Sequence, residues 1–270
     1  MFTVFEPTAD ETAVLVEVPH AGLEVDALAS RSLIAPEDSL RRDADLYVDE
    51  LYQDAPAEGA SFLVSHVSRY VCDLNRSERD VDALAVVDGT ANHAPHGLIW
   101  RTTTDDLPAI RAPLDRAEFT RRINSVYRPY HETLMQLLEA KRRRFGFVIL
   151  LCGHSMPSQG RAGHDDPGRG RADVVPGSRS HTSAALDVIN APAQLAGDYG
   201  WSVLHDDPYR GGYSTYHYGR PNEEVHAVQV ELARRLYMDE VKCTKKPLEF
   251  EKVRGYCRAL VARLGALDVT

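Results

Sequence analysis

The chain has 270 residues, 43% of them hydrophobic and 26% charged, with a formal net charge of −9. That length and composition suit one domain with a substantial core, and the negative balance argues against a nucleic-acid footprint. Four widely spaced cysteines (Cys72, Cys152, Cys243, Cys257), with no CxxC pair, argue against a cysteine-built zinc site or a disulfide framework.

In chain order, Val14–Val18 reads as a buried strand closed by Pro19-His20-Ala21-Gly22. Asp45–Tyr52 carries Leu46, Val48, Leu51 and Tyr52 at helical spacing. Ser61–Cys72 reads as the next strand. Residues 80–112 lack periodicity and are expected to form a long ordered loop, with a short strand at Gly97–Trp100. From Asp115 to Arg144 runs the clearest helix, with Phe119, Ile123, Val126, Tyr130, Leu134, Leu137 and Leu138 on one stripe. Pro129 should bend it and Gly146 should end it. The basic cluster Lys141–Arg144 closes it, where cations offset the macrodipole. Phe147–Cys152 is a continuous apolar strand ended by Gly153-His154-Ser155.

Residues 157–182, rich in Gly, Arg, Asp and Ser, read as a polar loop. Ser183–Gly197 reads as a helix and Trp201–Leu204 as a short strand. Asp206–Pro221 is dense in Gly, Tyr and Pro. Val225–Leu232 alternates as a strand, and residues 247–265 form a closing amphipathic helix. Strands alternating with helices predict an α/β fold with a largely parallel sheet. With no internal repeat and no linker, residues 1–270 are expected to form a single catalytic domain. There is no secretory leader pattern and no apolar stretch near the roughly 20 residues of a membrane span, so a cytoplasmic protein without a membrane partner is expected.

Two histidines, His20 and His154, each follow a buried strand. In open α/β sheets ligands bind at the carboxyl ends of the strands. Two imidazoles there are either ordinary hydrogen-bonded residues or ligands of one metal. A catalytic zinc site wants three protein ligands and an open position. Glu24 and Asp45 are candidates for the third; Asp43 and Asp45 also suit a helix N-terminus. Glu231 sits inside the apolar run Val228–Leu232, where a carboxylate is costly unless paired or used. It is either a general base for a metal-bound water or half of a buried ion pair. Asp73-Leu74-Asn75-Arg76, with Arg69 just upstream, delivers an acid, an amide and two guanidiniums to one point. That is a site for a small anion or a surface ion pair. Arg210, beside Gly211-Gly212, is either a second carboxylate contact or a solvated turn residue. No GxSxG and no GxxxxGK[ST] motif is present, so a serine-hydrolase elbow and a P-loop are not expected.

Taken together, Val18–Gly22, Asp43–Tyr52, Ser68–Arg76, Tyr127–His131, Gly153–Met156, Arg210–Pro221 and His226–Glu240 resemble the N-formylglutamate amidohydrolase family. They fall in the expected order over roughly residues 14–240. The resemblance implies a zinc carboxypeptidase-like fold, a three-layer α/β/α sandwich around a mixed, mostly parallel sheet. It also implies one zinc ion per chain and hydrolysis of N-formyl-L-glutamate to formate and glutamate, a step of histidine breakdown, with a small anionic N-acyl amino acid as substrate. Residue by residue, His20 and His154 match metal ligands and Glu231 the general base. Arg69 matches the arginine that polarises the scissile carbonyl, and Asn75 and Arg76 the pair that grips the α-carboxylate. Asp73 is expected to orient its neighbours. The wider group carries His-x-x-Glu, whereas Leu23 stands at the third position after His20; Asp45 is therefore preferred to Glu24. The rival readings are an amidase or carboxypeptidase-like peptidase for another N-acyl amino acid or short peptide, and a non-catalytic binding protein on the same fold.

Overall fold

A computed structural model describes residues 1–89 and 96–269. Six strands form one sheet: β1 (Phe2–Phe5), β2 (Val14–Val18), β3 (Ser61–Ser65), β4 (Val148–Met156), β5 (Val174–Gly177) and β6 (Val225–Ala233), in the order β1-β3-β2-β4-β6-β5. The four inner strands run parallel, and the edge strands β1 and β5 run antiparallel to their neighbours. Every residue of β2, β3 and β4 is buried. That is why their sequences read as continuous apolar runs rather than alternating ones.

Helices cover both faces. On one side Val16, Val18, Ile149, Leu151, Val228 and Val230 pack against α5 (Leu186–Asp198) and α7 (Pro247–Gly265). On the other, Leu15, Leu63, Leu150 and Ala227 meet α4 (Arg128–Phe145) and the segment between β3 and that helix. The three-layer α/β/α sandwich with a mixed, mostly parallel sheet is the expected architecture. No described helix is long and apolar enough to cross a membrane.

Several local expectations change. The helix expected from Asp115 is three pieces: α3 (Arg116–Arg122), a π-helical turn (Ile123–Tyr127), and α4. Asp115 caps α3 by accepting from Glu118 N at 2.7 Å. Pro129 falls in the first turn of α4, where its missing N–H costs little, so the irregularity is the π turn before it. Gly146, at φ 85°, ends α4. The helix expected over Asp45–Tyr52 shrinks to α2 (Val48–Leu51), preceded by α1 (Glu37–Asp43). β3 stops at Ser65 instead of Cys72, because its neighbour β2 pairs only to Val18 and Pro19 has no N–H with which to extend the ladder. β4 instead continues through Gly153, His154 and Ser155, since β6 pairs alongside it as far as Met156↔Ala233. Gly153 is required there: a Cβ would fall 2.6 Å from the Tyr52 ring.

The polar stretch 157–182 contains β5, and α6 (Tyr213–Tyr218) lies inside the Gly/Tyr/Pro-dense segment. Trp201–Leu204 contributes only the bridge Val174↔Val203, and Gly97–Trp100 only His96↔Trp100. Of the long loop 80–112, residues 90–95 lie outside the described residues. Helix α7 spans the expected residues, with Phe250, Val253, Cys257, Leu260, Val261 and Leu264 buried.

Candidate active site

Strand alternation builds the floor. Leu15, Leu150 and Ala227 face the α4 side, so Glu17, Cys152, His154, Gln229 and Glu231 face it too. Register then sets them side by side: Glu17 pairs with Cys152, Cys152 with Gln229, and His154 with Glu231. Near the carboxyl ends of three parallel strands, an apolar face becomes a polar row.

Three of the predicted residues converge above it. The candidate ligand atoms of His20, Asp45 and His154 all lie within 4.8 Å of one another, and all three residues are buried. His154 Nδ1 stands 2.9 Å from Asp45 Oδ2, and His20 Nδ1 stands 3.7 Å from the same oxygen. The outer ring nitrogens are held from behind. His20 Nε2 meets Asp73 Oδ1 at 2.8 Å, and Asn75 Nδ2 approaches His154 Nε2 at 3.3 Å. Such backing fixes the orientation of a metal-binding imidazole. Two imidazole nitrogens and one carboxylate oxygen, buried and convergent, fit a zinc-type cation. Glu24 is excluded from this cluster: its side chain is 66% exposed and faces the amino terminus at 3.8 Å. Asp45 is not a helix cap, since its carboxylate meets His154 and, at 3.3 Å, Arg234.

Charge state follows from these contacts. Burial alone would raise the Asp45 pKa, but the hydrogen bond from His154 and the nearby imidazole of His20 hold it well below the usual carboxylate range. Burial opposes a charged His154, yet the Asp45 hydrogen bond and the Glu231 charge push its pKa up. The Glu231 pKa is also raised, by burial, only partly opposed by the charge of His154. Its Oε1 accepts from Gln229 Nε2 at 2.9 Å. A carboxylate so placed is suited to accept and return a proton.

Asp73 is the hub of the adjoining wall. Besides His20, it accepts from Arg69 Nη2 at 3.0 Å, Trp100 Nε1 at 2.9 Å and its own neighbour Asn75 N at 2.9 Å. Burial opposes its ionisation, but the charges of His20 and Arg69 hold its pKa well below normal. Arg69 lies over the Trp100 ring at 4.3 Å and places Nη2 3.0 Å from His20 Nδ1. Asn75 is buried, and its Oδ1 accepts from Ser214 N at 2.9 Å. Arg76 is 45% exposed and 3.7 Å from Asp80.

The mouth is built from two tied loops. Arg179, Ser180 and His181 have φ of 56°, 61° and 65°, three consecutive non-glycine residues in the left-handed region. Each costs about 1–2 kcal/mol. Asp206 offsets much of this, accepting from Ser178 N at 2.7 Å and Ser180 N at 2.8 Å; hydrogen bonds to a charged group contribute about 1.5–3 kcal/mol each. Arg179 N donates to Arg210 O at 2.8 Å, closing the pair. Two glycines allow the approach: a Cβ on Gly177 would lie 2.6 Å from Gly211 N, and one on Gly212 would lie 2.2 Å from Asn75 Nδ2. Tyr209 lines the same side, its phenol pushed up to about 12 by burial. Floor, wall and mouth enclose a cavity of about 450 Å³, within the range of small-molecule sites.

All the sequence-selected residues except Glu24 line this cavity. Others escaped that reading. Gln229 was legible, two residues before Glu231 on the same strand face. Glu17 was legible as the single charge in a buried strand; Tyr130 and Ser214 hydroxyls donate to its Oε1 at 3.1 and 2.9 Å, and burial raises its pKa. Arg161 donates to Asp43 at 2.7 Å and also binds Asp105, bringing the 157–182 segment onto the site. No local pattern marks Trp100, Arg179 or Arg234; the fold delivers them.

Comparison with known proteins finds relatives along most of the chain. A family model described as N-formylglutamate amidohydrolase matches residues 12–238. The N-formylglutamate deformylase of Pseudomonas aeruginosa is 33% identical over 235 residues, 84% of this chain and 82% of that protein. That of Pseudomonas putida is 32% identical over 234 residues, 85% and 83% respectively. The crystal structure of N-formylglutamate amidohydrolase from Ralstonia eutropha JMP134 superposes with a TM-score of 0.89 at 29% identity, covering 98% of this chain and 96% of that one. A gene product of Agrobacterium tumefaciens, 20% identical with a TM-score of 0.70 over 96% of this chain and 92% of its own, shares the fold.

Proposed function

The chain belongs to the N-formylglutamate amidohydrolase family and is a hydrolase acting on an amide bond; from that premise we propose that it is a zinc-dependent, single-domain enzyme cleaving N-formyl-L-glutamate to formate and L-glutamate. The observation that carries the reading is the convergence of His20, Asp45 and His154 beside Glu231 on the cavity floor.

His20, Asp45 and His154 would hold one divalent cation per chain. Such a cation supplies Lewis-acid polarisation and lowers the pKa of water. The rest is the work of the chain's own groups. Glu231 takes the proton of the attacking water and returns it to the departing nitrogen. Burial, by raising its pKa, suits it to both transfers. Arg69, fixed between Asp73 and Trp100, donates to the carbonyl oxygen as charge develops there. Asn75 and Arg76 bind the α-carboxylate, and Arg210 supplies a further cation at the mouth. Asp73 keeps His20 and Arg69 in place. The reaction is assigned to the cytoplasm and to histidine breakdown; four free, buried cysteines fit a reducing compartment.

The test is formate release from N-formyl-L-glutamate by purified protein, before and after chelation and zinc addition, beside a panel of N-acyl amino acids and short peptides. Loss on chelation and recovery with zinc is expected. Absence of formate release in the zinc-loaded protein overturns the substrate; activity indifferent to chelation in metal-free protein overturns the cofactor.

A further inference from the structure

We propose that Arg179, presented with Arg210 on the tied loops 177–181 and 206–212, binds the second carboxylate of the substrate and so restricts the enzyme to N-acyl derivatives of acidic amino acids. The inference rests on the deformylase reading and names the group that would set its substrate class.

Most arginines around the cavity are already paired. Of the arginines around the cavity, Arg42 and Arg161 are held by Asp105, Arg69 by Asp73, and Arg234 by Asp45. Arg76, assigned to the α-carboxylate, stands near Asp80. Among the described residues, Arg179 and Arg210 form no ion pair. Arg179 Nη1 donates to Gly211 O at 3.3 Å and its guanidinium lies over the Tyr216 ring, while Arg210 Nη2 donates to Ser180 Oγ at 2.8 Å. A substrate with one carboxylate would leave both cations uncompensated at the mouth. A dicarboxylate supplies one negative charge that the two guanidiniums can share.

The Arg210-Gly211-Gly212 turn lies directly against Asn75, since even a Cβ on Gly212 would collide with that carboxamide. The arginine-bearing loops therefore adjoin Asn75, the residue proposed to hold the α-carboxylate.

Arg179 opens the run of three left-handed residues that Asp206 and the Arg210 carbonyl hold in place. Strained backbone persists where the surroundings over-determine it, and such sites cluster where ligands bind. A solvated arginine would need none of this bracing, whereas a guanidinium fork that must meet a carboxylate in one geometry gains from it.

The experiment compares kcat/KM for N-formyl-L-glutamate and its uncharged counterpart N-formyl-L-glutamine in the zinc-loaded wild type, Arg179→Gln and Asp206→Asn. Loss of a charge-assisted contact predicts a fall of about 100-fold for the glutamate substrate in Arg179→Gln, carried mainly by KM, and a glutamate-over-glutamine preference narrowed by a similar factor. Asp206→Asn should narrow the same preference in the same sense. Equal loss on both substrates, or an intact preference, overturns the assignment. Calorimetric titration with glutarate and butyrate reads the site without turnover: wild type should favour glutarate, and Arg179→Gln should not. If neither N-formyl amino acid is hydrolysed but glutarate is still discriminated through Arg179, the deformylase reading falls and the dicarboxylate site stands. If hydrolysis proceeds with a preference that Arg179→Gln leaves unchanged, the reverse holds.

Discussion

On the cavity floor the charged side chains face one another: His154 and Asp45, His20 and Asp73, Glu231 with its Gln229 amide. All of these residues are buried. At the mouth, Arg76, Arg179 and Arg210 are exposed, and their contacts are long or uncharged. The difference follows from dielectric. An unpaired charge on the floor would cost several kcal/mol, so each must be matched within the fold. In water the same cations are tolerated unpaired and stay available to a ligand. On the proposed reading, the floor would be where bonds are broken and the mouth where substrate is chosen.

The largest effect is expected at Glu231. Replacing Glu231 with Gln should lower kcat about a thousandfold, in the range for loss of a general base, while zinc content and Tm hold. Steady-state rates with metal analysis by atomic spectroscopy decide this; activity within tenfold of wild type would remove the base from Glu231. At the mouth, Arg76→Gln should lower kcat/KM about 100-fold with kcat nearly retained, the signature of lost binding rather than lost chemistry. A fall in kcat of the same size would erase the division between floor and mouth.

Asp73→Asn tests the link between them. Support of a ligating histidine typically accounts for 10–100-fold in metal affinity, so a loss of about thirtyfold is expected in competition titrations with a chelator. An unchanged affinity would show that His20 does not depend on Asp73. The smallest effect belongs to Glu17. Its folded pKa lies above the ordinary 4.5 because of burial. Between the unfolded and folded values the native state holds a proton that the unfolded chain has lost. Stability is thus full below about 4.5 and declines as pH rises through the folded value. Glu17→Gln keeps an acceptor for Tyr130 and Ser214 and should flatten that decline in Tm measured from pH 4 to pH 8. A decline of wild-type steepness in the variant would assign it to another group.

Much of the floor was legible in the sequence. His20 and His154 stand beside turn residues at the ends of apolar runs, and Glu231 is a charge where period-two alternation demands an apolar or functional residue. The largely parallel core follows from the alternation of strand and helix, whereas the strand order does not. The mouth was not legible. Arg179 and Arg234 become neighbours of the site only through long-range contacts, and three left-handed non-glycine residues have no signature in Arg-Ser-His. β5 was hidden because a short strand containing Pro176 and Gly177 reads as a loop. The end of β3 was misplaced because a strand stops where its partner stops, which is a property of pairing rather than of the residues themselves. Glu24 attracted attention by sequence proximity to His20, yet the turn sends it to the surface.

β5 pairs with β6 on one side and on the other meets only the bridge Val174↔Val203, so among the described residues no further strand of the sheet lies beyond it. The turn that follows it, residues 178–182, therefore hangs from the margin of the fold. Redrawing that turn disturbs one ladder, whereas altering β4 would disturb two. Descent with modification can then proceed unevenly across this molecule. On the proposed reading, substitutions in that turn would alter which amino acid is accepted and leave the side chains of the floor in place.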